Sequence, residues 1–129
     1  MISLSIIIVS FNTKEITKRC LLSLKKNFIG YPLDYEVIVI DNNSQDGSSG
    51  VLLDLEKGWK NLHVFLSKKN LGFGGGNNEG YKKARGEYIC FISNDVRFLR
   101  KDWLSTLLDA CRAKEALYGD KYINYNNLT

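Results

Sequence analysis

Three carboxylates and one run of glycines hold most of what could do chemistry in this 129-residue sequence. Asp41 closes the apolar run 35–40, Asp46 follows it in "DNNSQDGS", and Asp95 ends "SND" after a later apolar run. An acid at the end of a buried strand can accept a charge-assisted hydrogen bond or hold a hard cation. Residues 70–80, "NLGFGGGNNEG", contain five of the eleven glycines. Glycine costs conformational entropy, so such a cluster implies close approach of backbone to a phosphate, a sugar or another stretch of chain. The single histidine, His63, lies early in an apolar run and away from the acids, which suits a partly exposed structural residue.

The elements that must position these residues alternate along the chain. Near-continuous apolar runs at 4–9, 35–40, 62–66 and 87–92 read as strands covered on both faces. Ile16, Cys20, Leu21, Leu24 and Phe28 recur at helical spacing behind an Asn12-x-x-Glu15 capping box. A short helix carries Val51, Leu52 and Leu55; another is expected over 77–84, with Gly86 in the C′ position. A last helix, capped by Asp102, bears Leu104, Leu107, Leu108 and Cys111. The tail after Ala116 has no clear period. Four strand–helix alternations predict a three-layer α/β/α fold with a mostly parallel, Rossmann-like sheet.

In such a sheet ligands bind beyond the carboxyl ends of the strands. Ser10 and Asn12 follow the first strand, Asp41 and its loop the second, the glycine run the third, and Asn94 and Asp95 the fourth. Turn-forming chemistry explains any one of these loops but not four on one rim, so a ligand site is expected there. The glycines fit neither a dinucleotide fingerprint after the first strand nor a P-loop, since Tyr81 follows Gly80. Hydride transfer and ATP hydrolysis are disfavoured. Backbone amides and a helix N-terminus facing an anion or a sugar stay open, as does close helix–sheet packing.

Composition narrows the class further. The formal net charge is +4, and the basic clusters are not interleaved with aromatics as in a single-strand nucleic-acid platform. Phosphate ligands or an anionic membrane surface suit this balance better than nucleic acid. Cys20, Cys90 and Cys111 are odd in number and sit on apolar faces, which predicts reduced core thiols and a cytoplasmic setting.

Taken together, "VSFN", "VIVIDNNSQDGS", "NLGFGGGNNEG" and "GEYICFISNDV" resemble the successive motifs of family-two glycosyltransferases. The likeness is closest to bacterial rhamnosyltransferase-like enzymes of cell-surface polysaccharide biosynthesis and covers about residues 6–108. It implies a GT-A fold and inverting transfer of a sugar from a UDP-, dTDP- or GDP-linked donor to a saccharide or lipid-linked acceptor. By this match Ser10, Asn12 and Asp41 contact the nucleobase. Asn70, Gly72, Gly74, Gly75 and Asn77 lie against the donor, with Asn94 on the ribose. Asp95 matches the last acid of the D-x-D motif that holds Mg²⁺ or Mn²⁺, whereas Asp46 shapes its turn. Peripheral association with the inner face of the membrane and a homo-oligomer are both compatible with the family.

The sequence departs from that family in two respects. Ser93-Asn94-Asp95 keeps one carboxylate, so metal should bind mainly together with the diphosphate. No residue after Asp95 matches the family's catalytic base, so residues 1–129 read as the donor-binding portion, ending after about four strands without the acceptor half. A non-catalytic nucleotide-binding module or partner subunit is the alternative. A sugar-nucleotidyltransferase would carry its glycines after the first strand, where "SFNTKE" stands. A phosphoacceptor signalling domain would need an acidic pair there.

Overall fold

The computed structural model describes the backbone of residues 1–118 and 122–124 and the side chains of residues 1–113. Strands β1 (Leu4–Ser10), β2 (Tyr35–Asp41), β3 (Leu62–Leu66), β4 (Tyr88–Phe91) and β5 (Tyr122–Asn124) alternate with helices α1 (Lys14–Asn27), α2 (Ser48–Lys57), α3 (Gly72–Lys83) and α4 (Trp103–Tyr118). All pairings are parallel, and the strand order is β3-β2-β1-β4-β5. The expected three-layer α/β architecture is present, with one strand more than the four read from the sequence. β5 pairs Tyr122 with Ile89, and three residues are too few to show a period.

Central β1 is buried at all seven positions, which is why its sequence is apolar rather than alternating. On one face, Leu4, Ile6, Ile8, Val37 and Val39 pack with Leu21 and Leu24 of α1, Leu52 of α2 and Leu104, Leu107 and Leu108 of α4. On the other face, Ile7, Ile38, Ile40 and Ile89 form a smaller cluster beneath α3. The chain therefore winds outward from β1 to β3, crosses beneath the sheet through α3, and resumes at β4. The order reverses between β1 and β4. In this topology the crevice at the carboxyl ends opens at that switch point.

Three local expectations are corrected. The Asn12–Glu15 capping box does not form: Thr13 is the N-cap of α1 and makes no side-chain cap bond. Asn12 instead adopts a left-handed φ of 50° and turns to the neighbouring loop. Second, α3 starts at Gly72 rather than at residue 77, taking four glycines into its first turns. Third, Gly86 is not a left-handed C′ residue. The helix ends at extended Ala84, and a Cβ on Gly86 would lie 2.5 Å from the Ser5 amide nitrogen. That glycine lets the loop press against β1.

At the end of the sheet remote from the rim, Glu36 is 2% exposed yet fully partnered. Its Oε1 accepts from Ser5 Oγ and the Arg85 amide at 2.7 Å each, and Oε2 accepts from the Arg85 guanidinium. His63, 37% exposed, lies 3.9 Å from the same carboxylate, as befits a structural histidine. Burial pushes the Glu36 carboxyl upward, but the Ser5 hydroxyl and the Arg85 amide and guanidinium outweigh it, holding it below the usual carboxylate range. A carboxyl depressed in the folded state stabilises above its unfolded pKa of about 4.3, and that contribution disappears as pH falls through the lower folded value. Glu36→Gln should therefore lower the melting temperature at neutral pH, and its difference from wild type should shrink below about pH 4. A pH series of thermal melts checks this, and a pH-independent difference would refute it.

The three cysteines are free and buried. Burial pushes the Cys20 and Cys90 thiols up to about 12, with the Asp95 charge adding to the first and Cys111 to the second. Neither can be a thiolate nucleophile at neutral pH.

Candidate functional site

The rim is assembled from four loops, and the structure distributes the expected site residues unequally among them. Ser10, last in β1, is fully buried. Its hydroxyl pairs with Thr17 Oγ1 at 2.8 Å and reaches Thr13 Oγ1 at 3.4 Å. Asn94 joins this cluster by donating Nδ2 to Thr13 Oγ1 at 2.7 Å and Thr17 Oγ1 at 3.0 Å. Ser10 and Asn94 thus clamp the β4 loop onto α1 across the switch point. Ser10's side chain is turned into the fold, not toward solvent.

Asp41 ends β2 with 2% of its surface exposed. Its carboxylate accepts from Ser44 Oγ at 2.6 Å and from the Ser44 amide at 3.1 Å. An ionised carboxylate offers about four acceptor positions, so Ser44 occupies only part of its capacity. Ser44 Oγ also accepts from the Asn12 amide, and Asn12 Oδ1 accepts from the Gln45 amide at 2.8 Å. The loops after β1 and β2 are therefore one hydrogen-bonded unit.

Asp46 completes that unit. It accepts from the Ser48 amide and hydroxyl at the start of α2 and from the Lys14 amide at the start of α1. One carboxylate caps two helices whose N-termini both face the rim. The Ser48 hydroxyl bond is the chief reason its carboxyl lies below the usual range; desolvation opposes this, and the Lys14 and Ser48 amides add to it.

The glycine-rich helix divides its residues by role. Asn70 Oδ1 accepts from the Gly72 amide at 2.8 Å, while Gly72 itself needs its φ of 76°. Added Cβ atoms on Gly76 and Gly80 would lie 2.8 Å from Val9 Cγ1 and 2.4 Å from Ile7 Cγ2, so these two glycines let α3 lie on β1. At Gly75 a Cβ would meet Leu71 Cβ at 2.8 Å, but at Gly74 it would meet nothing within 4 Å. Asn77 is half-buried on the same helix. Packing thus accounts for part of the cluster, and Gly74 stands open to whatever binds.

Asp95 is exposed at the carboxyl end of β4. Among the described residues, no three His, Cys, Asp or Glu side chains gather to hold a metal ion. One hard oxygen donor suits a magnesium-like ion only when ligand phosphates complete the coordination. The donor set fits such a shared site and no other. A cleft of about 410 Å³ between β3 and α3, lined by Phe65, Ser67, Leu71 and Lys83, includes neither Asp41 nor Asp95.

Three residues that organise the rim were not singled out from sequence. Asn42, 1% exposed, donates Nδ2 to the Gly72 carbonyl at 2.9 Å and accepts from the Leu71 amide at 3.4 Å. It fastens the end of β2 to the start of α3. Ser44 orders the Asp41 loop, and Thr17 anchors Asn94. Thr13 and Thr17, one helical turn apart on an otherwise apolar face, were a readable signal. Asn42 gave none beyond its place after Asp41.

Comparison with known proteins accords with this geometry. The sequence description of glycosyl transferase family 2 matches residues 5–127. A poly(ribitol-phosphate) beta-glucosyltransferase of Bacillus spizizenii is 34% identical over 93 residues, covering 71% of this chain and 14% of that protein. A GalNAc(5)-diNAcBac-PP-undecaprenol beta-1,3-glucosyltransferase of Campylobacter jejuni is 31% identical over 109 residues, covering 84% and 34% respectively. The chain thus spans about a third or less of these relatives' length. Among solved structures, S. aureus TarS 1–349 in complex with UDP-GlcNAc superposes with a TM-score of 0.69 at 26% identity, covering 89% of this chain and 32% of that one. The mannosyltransferase PcManGT of Pyrobaculum calidifontis, solved with GDP-Man and Mn²⁺, shares the fold with a TM-score of 0.74 at 20% identity, covering 81% of this chain and 31% of that one. Both are glycosyltransferases of the GT-A fold, which the α/β fold of this chain matches. This chain belongs to glycosyl transferase family 2.

Proposed function

We propose that the rim between β1 and β4 binds a nucleoside-diphosphate sugar, the donor for inverting transfer to an acceptor hydroxyl in cell-surface polysaccharide synthesis. The observation that carries this is the interlocked rim. The Asp41–Ser44–Asn12 unit, the open start of α3 at Gly74 and the β4 loop with Asp95 all adjoin one switch point. The UDP-GlcNAc complex of TarS, similar over most of this chain, supports the choice of ligand class.

In this reading Asp41 accepts from a ring N–H of the base with its remaining lone pairs, and Asn12 holds the adjoining loop in place. The first turn of α3 presents Gly72 and Gly74 to the donor, flanked by Asn70, Gly75 and Asn77. Ser10 and Asn94 act from below by fixing the β4 loop. Asp95 would be the protein ligand for a divalent cation, which when bound would supply positive charge to the diphosphate. Transfer also needs a base for the acceptor proton. We assign it to none of the described residues: Asp102 is paired with Arg100, and Asp109 lies exposed on α4.

Calorimetric titration of UDP, dTDP and GDP, each with and without Mn²⁺, tests the assignment. At least one nucleotide should bind, and Mn²⁺ should tighten it by roughly tenfold through the shared phosphate site. Asp95→Asn should leave metal-free affinity unchanged and abolish the metal increment. An undiminished increment in that variant would remove Asp95 from the site, and no binding by any nucleotide would sink the proposal.

A further inference from the structure

A second surface, away from the rim, combines exposed aliphatic side chains with unpaired cations. Leu99 is 81% exposed, Ile29 72% and Leu22 45%. Leu22, Lys26 and Ile29 succeed one another at helical spacing along the outer side of α1 and its exit. Leu99 belongs to the β4–α4 loop, whose tip is tied to the last turns of α1. Asn27 Nδ2 donates to the Phe98 carbonyl at 2.8 Å, its Oδ1 accepts from Trp103 Nε1 at 3.1 Å, and the Phe98 amide donates to Ser23 Oγ at 3.1 Å. Phe98 itself is buried, so the loop is anchored while its next residue points outward.

Arg97 and Lys101 flank Leu99, and Lys26 lies between Leu22 and Ile29. None of these three cations pairs with a carboxylate among the described residues. The nearby Asp102 is taken up by Arg100 at 2.7 Å. Glu15 lies at the opposite, rim end of α1, and Asp109 sits nearly two turns into α4. Aliphatic side chains among uncompensated cations match the interface of an anionic bilayer, where apolar groups enter the acyl boundary and cations meet headgroup phosphates. A protein partner would demand a shaped apolar core; these aliphatics stand singly among charges.

We propose that this face, α1 from Leu22 to Ile29 with the loop from Arg97 to Lys101, docks the protein on an anionic lipid surface. Docking would seat the last turns of α1 and the β4–α4 loop on the bilayer and leave the rim, at the other end of α1, free. No helix among the described residues is long and apolar enough to cross a membrane, so this contact is peripheral.

The test is co-sedimentation with vesicles of phosphatidylcholine alone and of phosphatidylcholine containing roughly one part in three phosphatidylglycerol. Binding should require the anionic lipid and fall steeply as salt is raised from roughly 0.05 to 0.5 M. Each cation near an anionic leaflet contributes a factor of about five, so Lys26→Glu/Arg97→Glu/Lys101→Glu should lose roughly a hundredfold. Ile29→Ser/Leu99→Ser should lose at least about tenfold through the aliphatic contribution. Both variants change exposed positions, and both should keep the wild-type melting temperature and nucleotide affinity. Failure of the wild type to bind anionic vesicles, or equal binding by both variants, overturns the proposal. So does self-association in solution that Ile29→Ser/Leu99→Ser abolishes, which would assign the face to a second copy.

Discussion

Gly80→Val should lower the melting temperature by roughly 10 °C or more, whereas Gly74→Val should leave it nearly unchanged and instead cost nucleotide affinity. At position 80 even a Cβ would lie 2.4 Å from Ile7 Cγ2, inside a sheet–helix contact with no room to relax. Overpacking of this kind costs about 1–3 kcal/mol and more where backbone must shift, or several degrees per kcal/mol for a domain of this size. Position 74 is open, its φ is not left-handed, and valine is no worse than glycine in a helix. Any loss of binding there reports what the first turn of α3 faces. Melting curves and nucleotide titrations of the two variants separate the roles. A destabilised Gly74→Val with undiminished affinity would return the whole cluster to packing.

Asp41→Ala should weaken nucleotide binding by about tenfold to a hundredfold, the equivalent of one charge-assisted hydrogen bond of roughly 1.5–3 kcal/mol. The structure adds a complication, because the same carboxylate orders its own loop through Ser44. Ser44→Ala distinguishes the two effects. It removes the hydroxyl that Asp41 and the Asn12 amide share but keeps the carboxylate. If Asp41 reads the base, Ser44→Ala should lose only a few-fold while Asp41→Ala loses the full amount. Equal losses would reduce Asp41 to a loop-ordering residue. Equal affinity of Asp41→Ala and wild type, both folded by circular dichroism, would remove it from the site.

How much of this was legible beforehand depends on the range of the interaction. Strands β1, β2 and β4 announce themselves because residues buried on both faces must be apolar, and α1, α2 and α4 because one buried stripe repeats every three to four residues. Strand β3 keeps an apolar run although, as an edge strand, it buries only Leu62 fully. Asp41 and Asp95 at strand ends follow from the same reading, since polar residues that break an apolar run mark where the strand leaves the sheet. The resemblance through four ordered motifs pointed to the family that the comparisons show.

Long-range contacts were not legible. Glycine's poor helix propensity argued against a helix over 72–76, yet α3 forms there because Asn42 and Asn70 hold its first turn and because glycine alone permits its approach to Val9 and Ile7. Gly86 looked like a helix terminator and proved to be a contact with β1. The Asn12–Glu15 spacing suggested a local cap, but Asp46, 32 residues from Lys14, supplies one instead.

Ser10 and Asn94 were placed on the rim by their strand ends, which was as far as sequence could take them. Only the folded chain shows their polar groups joined beneath it, through Thr13 and Thr17. The sequence by itself determined the α/β class, the order of the elements and which strand ends carry polar chemistry, because burial and backbone periodicity act locally. The tertiary structure alone decided which helix crosses to the second face, where the switch point falls, and which of the rim's polar groups are already committed to one another. A hydrogen bond between residues 30 to 80 positions apart leaves no periodic trace in the chain.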